Sequence, residues 1–159
     1  MKVRKGFTLV ELLIVIVIIG ILAAAMMLSS GSATASAEAS NIVTDLRGMK
    51  AGALMLYADS MDAYNFGSLG TGQVEYLKRY MDNPAKFTTT AGYRFFIGGT
   101  ANDNKWWVGY NLDAAKKPKE VKDKVAGRSA SIGLYKDYSS YASTNLYTSP
   151  GSQVWMVAR

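Results

Sequence analysis

Residues Lys5 to Ala25 read KGFTLVELLIVIVIIGILAAA, a run apolar enough to enter a bilayer that carries one carboxylate, Glu11, near its start. Phe7 to Leu28 is 22 residues, about 33 Å of helix at ~1.5 Å per residue, against a hydrocarbon thickness of ~30 Å. Fourteen of those 22 are Phe, Leu, Ile or Val. Their insertion is worth roughly 6 kcal/mol in sum, whereas one carboxylate costs at most ~3 kcal/mol at mid-helix and less near an end. The segment therefore inserts despite Glu11. Lys2, Arg4 and Lys5 precede it and no basic residue follows until Arg47, so the positive-inside bias puts the N-terminus in the cytoplasm and everything after Leu28 outside.

An ionisable group inside such a segment calls for a function and a partner. No Lys or Arg lies between Phe7 and Leu28. An α-amine can supply the cation: a cut between Gly6 and Phe7 would place a new amino terminus four residues before Glu11, one helical turn away. These residues, with the short basic leader, Gly6, Phe7, Thr8, Glu11 and the long apolar run, closely resemble the class III signal of type IV pilins and type II secretion pseudopilins.

The resemblance implies that a prepilin peptidase cuts after Gly6 on the cytoplasmic face and N-methylates Phe7. It implies further that the subunits, held in membrane lipid beforehand, are extruded by an assembly platform and its ATPase into a homo-oligomeric helical filament cored by these apolar helices. The glutamate matching Glu11 would neutralise the amine of a neighbouring subunit and set axial register. Two departures stand out. Position 28 is Leu where many pilins have Pro shortly after the run, and MMLSSGSA continues without one, which removes the usual cause of a break in the helix. The chain has no Cys, so the C-terminal disulfide loop of many major pilins is excluded.

The competing interpretation is a secretory signal peptide, with Ala35 and Ala37 as a small-x-small cleavage site before Glu38. Against it, the apolar stretch after Glu11 runs 17 residues to Leu28, longer than the usual 7–15, and a buried carboxylate has no role in a discarded peptide. A plain signal anchor gives Glu11 no role either.

Size and composition narrow the chemistry open to the chain. Its 159 residues, 49% of them hydrophobic, hold one ordinary domain plus an appended element. With no Cys and no His, thiolate nucleophiles, Cys/His zinc sites and imidazole acid–base chemistry are absent, so the expectation is no enzyme, no cofactor and no metal. The +6 charge falls to +3 (15 basic against 12 acidic) once Lys2, Arg4 and Lys5 are removed, a weak argument for nucleic acid.

Ile42, Leu46, Met49, Ala53 and Leu56 recur at spacings of 4, 3, 4 and 3. The helix is therefore expected to resume or continue to about Met61, leaning its apolar stripe on a core. Gly31, Gly48 and Gly52 each cost it ~1 kcal/mol relative to Ala. DAYNFGSLGTG (62–72) reads as a loop and QVEYLKRYM (73–81) as a short helix with Val74, Leu77 and Met81 on one face, stopped at Asp82-Asn83-Pro84. YRFFIG and KWWVGYNL, joined by GTANDN, predict a β-hairpin whose second strand buries Trp106, Val108, Tyr110 and Leu112. KPKEVKDKVAG predicts a short basic helix between Pro118 and Gly127, SIGLY a strand, and SQVWMVAR a final strand with Val154, Met156 and Ala158 on one face. The expected fold class is α+β, pilin-like: leader 1–6, membrane-spanning or filament-core helix 7–28, amphipathic second half 29–62, and a globular domain 63–159 with a small antiparallel sheet.

Lys116, Lys117, Lys119, Lys122, Lys124 and Arg128, interrupted by Glu120 and Asp123, read as a solvated helix face, with nucleic-acid binding in a DNA-uptake pilin as the alternative. Asn102-Asp103-Asn104 reads as turn chemistry ahead of calcium ligation. The ten Tyr and three Trp read as strand and loop packing. Asp59 and Asp62 are the carboxylates an exported enzyme would use, though nothing converges on them. A type IV pilus subunit, with roles in adhesion or motility, and a secretion pseudopilin share the signal and stay open at this level. The cell surface is the expected destination of the first and the periplasm of the second. The processed chain is expected to begin at N-methylated Phe7, as intact mass and N-terminal sequencing will read; a chain beginning at Glu38 would identify a secretory signal instead.

Overall fold

The computed structural model describes residues 6–59, 74–97, 105–138 and 143–159. Helix α1, Leu9–Asp59, is a single α-helix of 51 residues that passes Gly31, Gly48 and Gly52 without interruption. Hydroxyls in its small polar stretch bond back to its own carbonyls, Thr34 Oγ1 to Gly31 O at 2.9 Å and Ser40 Oγ to Ser36 O at 2.9 Å. Side chains that could compete with the helix are thereby absorbed by it. The expected end at Met61 and the loop 62–72 lie outside the described residues, as do the hairpin turn GTANDN and its Asn102-Asp103-Asn104.

The chain divides into two units, residues 1–35 and 36–159. In the second, strands β1 (Tyr93–Ile97), β2 (Trp106–Asn111), β3 (Leu134–Tyr135) and β4 (Gln153–Val157) form one antiparallel sheet in the order β1-β2-β4-β3. Phe95, Val108, Met156 and Leu134 stand in register across one face, against which the second half of α1 buries Ile42, Leu46, Met49, Ala53 and Leu56. Helix and sheet form the α+β pilin-like arrangement. Tyr57 of α1 meets Trp106 edge-on at 5.5 Å between ring centroids, and the Arg159 guanidinium lies over Tyr57 at 3.7 Å.

The alternating pattern predicts one buried face, yet β2 and β4 are buried on both. Trp107 and Trp155 are only 1% exposed because the opposite face carries a second, aromatic layer: Tyr135 edge-on to Trp107, and Tyr138 between Phe96 and Trp155. Gly109 opens room for this layer, since a Cβ there would sit 2.7 Å from Trp155 Cδ2.

Val74–Tyr80 is helical as expected but a 3₁₀ helix, with Val74 and Leu77 buried one 3₁₀ turn apart. Helix α2 (Lys119–Ala126) starts after Pro118 and ends at Gly127. The predicted strand SIGLY is strand only at Leu134–Tyr135. Its first residues close a short helix, α3 (Ser129–Ile132), which Gly133 ends in the left-handed conformation, φ 75°, donating its N–H to Ser129 O at 2.9 Å.

Beyond residue 35, the large apolar side chains exposed among the described residues are Leu54, Met55 and Tyr76. A fragment 29–159 is therefore expected to be a soluble monomer that unfolds cooperatively. Burial, with the charges of Asp113 and Asp123 adding to it, pushes the Tyr147 hydroxyl up to about 12 from 10.0. Because the folded state holds that proton more tightly than the unfolded chain, the contribution is complete below about pH 10 and is lost as pH rises through about 12. Urea titrations across that range will show a loss that Tyr147→Phe reduces.

Candidate functional site

Gly6, Phe7 and Thr8 are not helical, and α1 begins at Leu9. Thr8 is thus the N-cap, and Glu11, three residues on, occupies the third helical position. The two bond reciprocally. Thr8 Oγ1 accepts the Glu11 N–H at 3.3 Å, while the Thr8 N–H and hydroxyl both donate to Glu11 Oε2, at 2.9 and 2.7 Å. This is a capping box: backbone donors left without helical partners are satisfied by side chains, and the carboxylate sits where the helix macrodipole favours negative charge. Glu11 Oε1 receives no hydrogen bond from any described residue. By sequence Glu11 is a charge awaiting a distant partner and Thr8 has no assembly role beyond its place in the signal. The pattern Thr8-Leu9-Val10-Glu11 ahead of an apolar run is the signal that could have paired them.

Phe7 is 84% exposed, and every large apolar side chain from there to Met27 is at least 50% exposed. A helix apolar on all sides has no face to give to water, and α1 is long and apolar enough to cross a membrane. Its first half needs lipid or other apolar helices around it. The leader cations Lys2, Arg4 and Lys5 lie outside the described residues.

The basic cluster is not the uniform solvated face that its sequence suggests. Helix α2 turns Val121, Lys122 and Val125 inward. The Lys122 ammonium is held by Asp113 and by Pro150 O. Lys117 is paired with Glu38 of α1, and that hydrogen bond raises its pKa. Arg128 Nη1 donates to Ser40 Oγ at 2.6 Å. Three of the six cations therefore serve the fold, while Lys119 pairs only loosely with Asp123, at 3.7 Å. A second carboxylate of α1, Asp45, accepts Lys86 Nζ and the Tyr93 hydroxyl, each at 2.5 Å. Burial, then this hydrogen bond, raises the Tyr93 pKa. Asp59 accepts the Tyr80 hydroxyl at 2.7 Å, and Asp62 lies outside the described residues.

Residues 1–27 match the family model described as the prokaryotic N-terminal methylation motif, which spans the leader, Gly6, Phe7, Thr8 and Glu11. Neither a curated protein nor a solved structure matches the chain significantly.

Because the Lys122 side chain is 11% exposed and doubly engaged, Lys122→Ala is expected to destabilise the domain by about 1–3 kcal/mol. Lys119→Ala, altering an exposed pair, should stay within about 0.5 kcal/mol. Urea denaturation of both variants reads the difference; equal, small effects would return Lys122 to the solvated face.

Proposed function

We propose, from the N-terminal methylation motif matched at residues 1–27 and the resemblance of that stretch to the signal of type IV pilins and pseudopilins, that this chain is a structural subunit of a pilus or pilus-like filament, polymerised through the first half of α1. The observation that carries this reading is the juxtaposition of a capped carboxylate with an uncovered apolar helix. Exposed side chains from Phe7 to Met27 make a surface that either lipid or identical helices can solvate. The same segment can therefore pass from bilayer to filament without exposing apolar area to water.

In this reading prepilin peptidase removes residues 1–6 between Gly6 and Phe7 and methylates the new amine. Lys2, Arg4 and Lys5 hold the leader in the cytoplasm, with residues 29–159 outside the inner membrane. The assembly platform and its ATPase then extract the subunit. Residues 36–159 form the decorating domain, in which Glu38 of α1 pairs with Lys117, and Asp45 with Lys86 and the Tyr93 hydroxyl. The role of the chain is mechanical, and no reaction is assigned to it.

Glu11 is the residue that gives assembly its register. Helices apolar on all sides slide past one another at little cost, whereas one carboxylate meeting one ammonium in a low-dielectric core favours a single axial offset. Glu11→Ala is expected to leave membrane insertion and cleavage after Gly6 unchanged and to abolish or sharply reduce filaments. It strands the neighbour's amine, and breaking a buried pair from one side costs about 3–5 kcal/mol. Glu11→Gln should behave alike. Electron microscopy of sheared filaments beside intact mass of the membrane pool makes the test; normal filaments from a fully processed Glu11→Ala chain would leave apolar packing alone to set the register.

A further inference from the structure

With no Cys in the chain, all of its oxidisable sulfur is thioether, and the domain of residues 36–159 exposes these sulfurs very unevenly. Met49 is fully buried and Met156 is 5% exposed, whereas Met55 is 54% exposed. Met55 lines an open groove of about 440 Å³ between α1 and residues 80–87, in company with Ala51, Met81 and Phe87. Met81 is half-buried there and packs on α1 at Gly52, its Cγ 3.6 Å from where a Cβ at that position would lie. We infer that Met55 is a modification site: a thioether that a peroxide converts to the sulfoxide while the domain stays folded.

Sulfur oxidation follows exposure. The groove is far larger than the ~30 Å³ a water molecule occupies in the liquid, so a peroxide reaches Met55 without any opening of the fold. A sulfur lone pair attacks one peroxide oxygen, and the S–O bond forms as the O–O bond breaks. The second oxygen takes the proton of the first and leaves as water, so sulfur loses two electrons and the peroxide gains them. At Met55 the new oxygen is hydrated where it forms. At Met49 or Met156 it would be an unpartnered polar atom in the core, against Val108 and Leu134 in the case of Met156, a costly place to leave one. Those sulfurs react only when the domain opens. Methionine sulfoxide reductases return the thioether, so the change is reversible. It falls where Leu54 and Met55 are neighbouring exposed apolar side chains of α1, and that face passes between an apolar and a polar state.

The test exposes the full chain, in membranes, to dilute hydrogen peroxide and follows each sulfoxide by peptide mass spectrometry, with fragment spectra separating Met55 from Met61. Met55 is expected to oxidise at least about tenfold faster than Met49 and Met156, which wait for the fold to open, with Met81 between. Trp106, Trp107 and Trp155 all lie in the sheet, so their fluorescence in urea reports on this domain. Chain oxidised at Met55 should keep the wild-type midpoint, and a sulfoxide reductase should restore the unmodified mass. Met55→Leu, a swap that nearly conserves volume, should remove the fast-forming sulfoxide and leave the midpoint unchanged. Met49, Met81 or Met156 oxidising as fast as Met55, or a lowered midpoint on oxidation of Met55 alone, would overturn the inference.

Discussion

The hydrogen bonds between Thr8 and Glu11 are the constraint on which the apolar first half of α1 depends. A charged group in an apolar segment is tolerated when its partners are fixed and when it lies near an interface. The capping box supplies both conditions, because a helix begins where its backbone donors are unsatisfied, and that end of a membrane helix lies at the headgroups. Satisfied in this way, Glu11 allows residues 12–19 to be Leu, Val and Ile without interruption. The β-branched Val and Ile among them are mediocre helix formers in water, but a bilayer or a bundle of like helices leaves the backbone no better choice than its own hydrogen bonds.

The second half of α1 deals with its charges by other means. Glu38 and Asp45 lie seven residues apart, so they share a face, and each meets a lysine from the globular domain: Lys117 for Glu38, Lys86 together with the Tyr93 hydroxyl for Asp45. Apolar burial by Ile42, Leu46, Met49, Ala53 and Leu56 supplies the bulk of the attraction, at about 25 cal/mol per Å² removed from water. The polar pairs choose among the rotations that burial alone would allow. Aromatic side chains on both faces of the sheet complete the domain without disulfides, the chain having no Cys, and Gly109 under Trp155 shows how closely that packing is fitted.

Much of this is legible in the residues. The α1 stripe, the hairpin, the helix between Pro118 and Gly127 and the last strand each follow from a period of 3.6 or 2 bounded by a turn residue. The illegible features depend on contacts distant in sequence. The burial of Lys122 depends on where Asp113 and Pro150 lie. The second buried face depends on Tyr135 and Tyr138 folding over Trp107 and Trp155; alternation cannot report a face that a later segment covers. SIGLY misleads at its start because Gly133 reads equally well as a residue within a strand and as the stop of a helix. At the site, Glu11 is conspicuous as a charge in an apolar field, whereas Thr8 is small and weakly polar, and only its geometry shows what it holds.

Helical reconstruction of the filament at a resolution that separates side chains is the most direct measurement of the pairing between Glu11 and a neighbour's amine. Glu11 Oε1 of each copy is expected within about 2.7–2.9 Å of the Phe7 amine of a neighbour, with Oε2 still held by Thr8 of its own chain. Glu11 facing away from every neighbouring amine, in a filament whose apolar helices pack nonetheless, would contradict it.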